Sequence, residues 1–326
     1  MQEGAILVTG SSSGIGFCLA RRLSGLGRRV YATARREEDL RALDALPNTV
    51  PVRLDVRDSA EIEAAVRRVE EDDAGLWGLV NNAGVGGIGP IASWTDAELE
   101  EIFSINALGP LRVSRAFLPL LLRSRGRIVN VGSQGGMISK KLFGPYTMTK
   151  HALEALTTAL DEEARPFGMR VSIVQPGGVV TSIGANSIAG DLARFRRAPA
   201  PFDVEAQAIA RALEPPETES DAGSERAGGP ESEGRPEGGD GAVETESEEP
   251  ESETNRKPSP PDRVADAILH ALFDPDPRRR YLVGTRWEGD RVLDTLLERI
   301  AEANACPSLG YSYAELTTRL DRKLRG

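Results

Sequence analysis

Ala5-Ile6-Leu7-Val8-Thr9-Gly10-Ser11-Ser12-Ser13-Gly14-Ile15-Gly16 is the stretch that decides how this chain reads. Its first four residues are apolar, partly β-branched and uncharged, as in a short strand buried on both faces. A turn carrying three glycines follows at once, and Phe17-Cys18-Leu19-Ala20-Arg21-Arg22-Leu23 continues with the apolar spacing of an amphipathic helix. Strand, glycine turn and helix in that order is the context in which a glycine pattern reads as a pyrophosphate site, a glycine turn with no ligand being the other reading. Glycine permits the tight turn and lets the backbone approach a ligand, while the helix N-terminus presents free N–H groups and the positive end of its dipole. The spacing is Gly-x3-Gly-x-Gly, not the commoner Gly-x-Gly-x2-Gly.

A second constellation lies further on. Tyr146 and Lys150 are four residues apart, on one face of a helix, and Tyr146 comes thirteen residues after Ser133. A phenol is a poor proton donor or acceptor near neutral pH, because its pKa is about 10. A neighbouring ammonium is expected to stabilise the phenolate and draw that pKa toward the working range. A hydroxyl such as Ser133 would hold a carbonyl or alcohol oxygen beside the phenol. That arrangement suits proton transfer at oxygen coupled to hydride transfer at carbon. Tyr-x-x-x-Lys also occurs on solvated helices, so its weight comes from the nucleotide site that precedes it.

Between these motifs strand and helix patterns alternate. Strands are expected at 29–34, 50–54, 76–80, 126–132 and 170–175, and helices at 37–46, 58–72, 96–122 and 146–166. Pro110 and Pro119 are expected to kink the long fourth helical stretch near Asn106. The alternation predicts an α/β fold: one Rossmann-type, doubly wound parallel sheet with helices on both faces and right-handed crossovers. Ligands in such a sheet bind beyond the carboxyl ends of the strands, and Gly10, Asn82, Ser133 and Pro176 all fall there.

With these pieces assembled, the chain resembles the short-chain dehydrogenase/reductase family over roughly residues 4–213 and again over about 258–285. Thr9-Gly10-Ser11-Ser12-Ser13-Gly14-Ile15-Gly16 matches the family's Thr-Gly-x3-Gly-x-Gly, and Asn81-Asn82-Ala83-Gly84 matches its Asn-Asn-Ala-Gly. Asn106, Ser133, Tyr146 and Lys150 match its catalytic four, and Pro176-Gly177 with Thr181 its Pro-Gly segment. The resemblance implies that Lys150 holds the nicotinamide ribose and tunes Tyr146, that Tyr146 moves the proton, that Ser133 orients the substrate oxygen, and that Asn106 fixes a water leading to Lys150. It assigns the carboxamide to Val179 and Thr181, the adenine to Asp55 with Val56, and strand tying more than substrate contact to Asn82. Ala34 stands where the family's NAD enzymes carry an acid, and Arg35 follows it, so NADP(H) is the expected cofactor. Ser11 or Ser12 is expected to add a hydrogen bond. A homodimer or homotetramer is implied by resemblance only.

Composition sets the remaining bounds. The chain has 326 residues, 40% hydrophobic and 28% charged, which is ordinary for a globular protein. No stretch approaches about 18 uninterrupted apolar residues, so no membrane span is expected. The start, Met1-Gln2-Glu3-Gly4, has neither a basic nor an apolar leader, and a cytoplasmic location is expected. Two cysteines, Cys18 and Cys306, and two histidines, His151 and His270, supply neither a disulfide framework nor a metal site. Residues 214–260 carry fifteen acidic and four basic side chains, so the net charge of −10 belongs to this segment and the remainder is nearly neutral. Rich in Glu, Ser, Gly and Pro, the segment is expected to be a disordered insertion within one domain spanning 1–326. A basic stripe for nucleic acid is absent from the sequence.

Substrate is less legible. The segment from Ser182 to Leu213 mixes Ile183, Ile188, Leu192, Phe195 and Phe202 with Arg194, Arg196 and Arg197. An apolar lid suggests a hydrophobic alcohol or ketone as the small-molecule substrate. Val30 to Arg36 and Arg280 to Gly284 resemble the 17β-hydroxysteroid and retinol dehydrogenase branch. The arginines would alternatively suit a 3-oxoacyl carrier, and a non-catalytic NADP(H)-sensing or scaffold protein is the reading from another class.

Overall fold

A computed structural model describes residues 4–72, 74–214, 258–306 and 310–325. Its centre is a sheet of seven parallel strands: β1 (Ala5–Val8), β2 (Val30–Ala34), β3 (Thr49–Arg53), β4 (Leu76–Asn81), β5 (Arg127–Val131), β6 (Arg170–Pro176) and β7 (Arg280–Val283). The order across the sheet is β3-β2-β1-β4-β5-β6-β7, so the winding reverses between β1 and β4. The crevice beyond the carboxyl ends of those two strands is where such a sheet takes a ligand. β1, β2, β4 and β5 are buried along their whole length, which is why they read as continuous apolar runs without alternation.

Helices cover both faces. α1 (Gly14–Gly25) shares one core with the helix Pro261–Phe273: Leu19 and Leu23 meet Val264, Ile268 and Leu272 over Ile6, Val8 and Val129. On the other face, α3 (Ser59–Glu70) and the helix Leu108–Ser124 bring Ile62, Val69, Val113, Phe117 and Leu121 against Leu7, Leu79 and Ile128. α2 (Glu37–Asp44) flanks β2 and β3. The expected acidic insertion at 214–260 lies almost wholly outside the described residues. On its far side, Pro261–Phe273 and β7 rejoin the sheet, with Val174 of β6 paired to Tyr281.

The stretch expected as one helix over 96–122 is two: α4 (Asp96–Asn106) and α5 (Leu108–Ser124). Pro110 has no N–H to return to the Asn106 carbonyl four residues back, and its ring crowds that carbonyl, so the ladder breaks at Ala107. Pro119 sits inside α5 without ending it. α6 (Gly144–Ala164) begins with Pro145 in its first turn, where a missing N–H costs nothing. α7 (Ile183–Arg196) and α8 (Asp203–Leu213) were not assigned from the sequence. The helical pattern from Pro261 to Leu272 forms α9 (Pro261–Phe273), the amphipathic stretch from Val292 to Ile300 lies in α10 (Arg286–Asn304), and α11 (Tyr313–Arg325) was likewise not assigned.

Candidate active site

The glycine turn is fastened to its neighbours before it can meet anything else. Gly10 and Gly14 have positive φ, +66° and +55°, which favours glycine. A Cβ on Gly16 would collide with the Gly10 carbonyl, so the third glycine lets α1 close onto the turn. Ser11 is buried: its N–H donates to the Thr33 carbonyl at 2.7 Å and its hydroxyl to the Val8 carbonyl at 3.0 Å. It therefore holds the turn to β1 and β2 and has no donor left to face a ligand. Ser12 and Ser13 are exposed, and Ser13 caps α1 without a side-chain hydrogen bond. Ile15 is partly buried against the first core.

The β4 turn is stapled to the same place. The Thr9 hydroxyl accepts the N–H of Asn82 at 2.9 Å and of Ala83 at 3.0 Å. The Asn82 amide donates to the carbonyls of Thr9 and Gly10, each at 2.9 Å. Its side chain thus ties β1 to β4.

Beyond β2 lies a cavity of about 540 Å³ lined by Arg35, Arg53 and Arg57 together with Asp55, Asp58 and Glu61. Asp55, expected to meet an adenine, lies among these arginines. Its carboxylate bonds Arg57 at 2.6 Å and lies 3.8 Å from Arg35, and the hydrogen bond from Arg57 holds it below the usual carboxylate range. Val56 turns away into the core and packs on Gly109. Arg35 is exposed.

The second cluster joins β5, α4 and α6. Lys150 is buried and donates to the Val131 carbonyl at 3.0 Å, with its Nζ 5.8 Å from the Tyr146 ring centroid. Burial lowers its pKa to about 8. Tyr146 moves opposite to expectation: burial pushes the phenol up, and a hydrogen bond with Ser133 only partly draws it back. Desolvation of the phenolate is the larger effect in this state. The Ser133 hydroxyl accepts the Gly135 N–H at 3.0 Å, which leaves its own proton to donate. Asn106 is buried, and its amide is occupied. It accepts from Val85 N–H at 2.9 Å and donates to the Val85 carbonyl at 2.9 Å and the Thr149 hydroxyl at 3.2 Å. A Cβ on Gly84 would lie 3.3 Å from the Asn106 amide oxygen and 3.9 Å from Lys150 Nζ, so the β4 turn links the two clusters.

The segment after β6 closes the arrangement. Pro176 ends the strand, the Gly177 N–H donates to the Val283 carbonyl at 2.8 Å, and Val179 bridges to Ser259. Thr181 packs over Gly14, 3.1 Å from where a Cβ would stand. α7 then folds across the front, held by a buried charge cluster that sequence reasoning missed. Arg194 donates to the Ile88 carbonyl at 2.9 Å and to Glu98 at 3.0 Å, pairs with Asp191, and stacks on Trp94 at 4.0 Å. Asp191 also accepts the Ile88 N–H at 2.9 Å. Arg194 and Asp191 stand three residues apart in the sequence, but the other partners of Arg194, Ile88 and Glu98, are about a hundred residues away. Among the described residues no group of His, Cys, Asp and Glu is placed to hold a metal, and no helix is long and apolar enough to cross a membrane.

Comparison with known proteins accords with this geometry. A family model for short chain dehydrogenases matches residues 4–191. A mitochondrial D-beta-hydroxybutyrate dehydrogenase of Rattus norvegicus is 36% identical over 188 residues, 55% of this chain and 55% of the relative. Retinol dehydrogenase 5 of Homo sapiens is 40% identical over 180 residues, 53% of this chain and 55% of that protein. The chain thus matches about half the length of these curated relatives. A short-chain dehydrogenase structure from Streptomyces avermitilis superposes with a TM-score of 0.68 at 27% identity, covering 92% of this chain and 94% of its own.

Proposed function

Starting from a chain that belongs to the short-chain dehydrogenase family, we propose that the protein interconverts a hydrophobic alcohol with its ketone or aldehyde, using NADP(H). The observation that carries this reading is the meeting of Ser133, Tyr146 and Lys150 beside a glycine turn whose helix N-terminus is free of side-chain capping. The residues fit a dinucleotide: Gly10, Gly14 and Gly16 make the backbone cradle, and Gly84 leaves open the approach to Lys150. Ser12, Ser13 and Ile15 would meet the phosphates, and Gly177, Val179 and Thr181 the nicotinamide end. The bound dinucleotide supplies the hydride chemistry.

The chain's own groups supply position and the proton. Because burial raises the Tyr146 phenol, it stays protonated at neutral pH and holds the proton that a carbonyl oxygen takes on reduction. Ser133, accepting from Gly135, would turn its hydroxyl proton from Tyr146 to that oxygen. Below about pH 8 Lys150 is charged and offsets the phenolate that remains. Asn106 acts as a positioning residue through Val85 and Thr149. Its backbone carbonyl, which Pro110 cannot bond for want of an N–H, would hold the water expected to lead toward Lys150.

Support for NADP(H) is exposed Arg35 at the cavity beyond β2, with no acid at Ala34. A 2′-phosphate would take a guanidinium that Asp55 holds only at 3.8 Å. Support for a hydrophobic substrate, of steroid or retinoid kind, is the apolar rim. Exposed Ile91 packs on Gly144 two residues before Tyr146, exposed Ile183 packs over Gly86, and Phe143 is exposed beside them. We read 1–326 as one domain, because α9 and β7 return to the sheet built by residues 5–176.

The test is oxidation of NADPH and NADH by purified protein against ketones and aldehydes including steroids and retinal. Turnover with NADPH that falls at least about a hundredfold in Tyr146→Phe is expected. NADPH binding without turnover across the panel would favour the sensing reading, and a preference for NADH would sink the argument from Arg35.

A further inference from the structure

Glu288 is a buried acid at the start of α10, well past residues 4–191 that the family model covers. A carboxylate is buried only where donors meet it. Its Oε2 accepts the Thr285 N–H at 3.0 Å, half of a capping box that starts α10. Capping alone does not call for burial; the corresponding acid of the α4 capping box, Glu98, keeps 24% of its side chain exposed. The other oxygen does something different. Oε1 reaches across to accept the Gly178 N–H at 2.8 Å.

Two glycines make room for this reach. A Cβ on Gly177 would collide with the Glu288 carboxylate, and one on Gly284 would meet both that carboxylate and Gln134 Nε2. Gln134 directly follows Ser133 and donates to the Val283 carbonyl at 3.3 Å. Glu288 therefore stands where the turn after β5, the segment after β6 and the end of β7 converge. The segment it grips runs on through Gly178, whose carbonyl accepts the Ser259 N–H at 2.8 Å, to Thr181 over Gly14.

We propose that Glu288 is a positioning residue for the nicotinamide half of the dinucleotide site, setting the path of Gly177–Thr181 through the Gly178 N–H. This rests on the reading that residues 176–181 hold that half. The adenosine half, at Gly10–Gly16 and Arg35, meets the gripped segment where Thr181 packs over Gly14, and the Glu288 bonds to Thr285 and Gly178 lie outside it.

The test is calorimetric titration of the full chain with whichever of NADPH or NADH it binds, and separately with the matching adenosine fragment, adenosine 2′,5′-bisphosphate or ADP. Glu288→Gln keeps the shape but puts an amide N–H₂ where one acceptor was. It is expected to weaken the dinucleotide about tenfold and leave the fragment within about twofold. Thr285→Ala, which weakens only the cap, is expected to leave both affinities unchanged while lowering the melting temperature. If Glu288→Gln does not fold, Glu288→Asp, withdrawn by one methylene, is read by the same split. Unchanged dinucleotide affinity, or equal loss of dinucleotide and fragment, would overturn the proposal. Failure of the wild-type chain to bind either ligand would instead bring down the dinucleotide reading, and this inference with it.

Discussion

Lys150 shows how a candidate site residue works against the fold that holds it. Its pKa, lowered to about 8 by burial, lies well below the value near 10.4 expected in the unfolded chain. Between those values the unfolded chain keeps a proton that the folded chain has released, so stability rises with pH through that window. Below pH 8 the buried charge is a penalty on the order of 3 kcal/mol, offset by about 1 kcal/mol from the bond to the Val131 carbonyl. Lys150→Met is accordingly expected to melt a few degrees above wild type at pH 7, with the advantage shrinking toward pH 10, while turnover falls at least about a hundredfold. Paired thermal scans at the two pH values check it; a less stable variant at pH 7 would refute the assignment. The same ionisation predicts that reductase kcat/KM declines as pH rises past about 8, because the charge that supports the Tyr146 phenolate is lost.

At the scale of elements, α7 lies against the body through charge. Burial alone would raise the Glu98 carboxyl, but hydrogen bonds from Arg197 and from the Thr95 N–H and hydroxyl outweigh it and hold the pKa at about 2. Arg194 faces the same carboxylate from α7. A depressed carboxylate contributes stability that is present above its unfolded value near 4.5 and lost as pH falls toward 2. With Glu98 partly exposed and screened, about 1–3 kcal/mol is the expected cost of Glu98→Gln at pH 7, shrinking below pH 4.5 and vanishing only as pH falls through about 2. Hydrogen exchange should then rise in 183–196 before it rises in the sheet. Uniform loosening of both would show that Glu98 supports α4 alone.

At the scale of the molecule, the sheet is completed from beyond the insertion. Val264, Ile268 and Leu272 of α9 are fully buried on α1 and the strands, and at roughly 1.5–3 kcal/mol apiece their burial rivals a whole domain's stability of about 5–15 kcal/mol. A chain ended after Leu213 is therefore expected to be insoluble or unfolded, and Ile268→Ala to cost about 2–5 kcal/mol in denaturant titration of the full chain. A folded, soluble 1–213 fragment would contradict the packing. How much of this was written in the chain order follows from the range of each cause. Strand, glycine turn and helix were legible at 5–23, and the sheet with them, because glycine conformations and apolar periods act over a few neighbouring residues. The Tyr146 and Lys150 spacing was legible for the same reason, and so was a disturbance near Asn106, though it read as a kink in one helix and is a break between two. The direction of the Tyr146 shift was not, since it depends on how much water the surrounding elements exclude. Nor was the inward turn of Ser11, the grip of Arg57 on Asp55, or the reach of Glu288 to Gly178, 110 residues away along the chain. Local sequence sets which backbone shapes are available, whereas burial and long-range hydrogen bonding exist only once distant segments have been brought together.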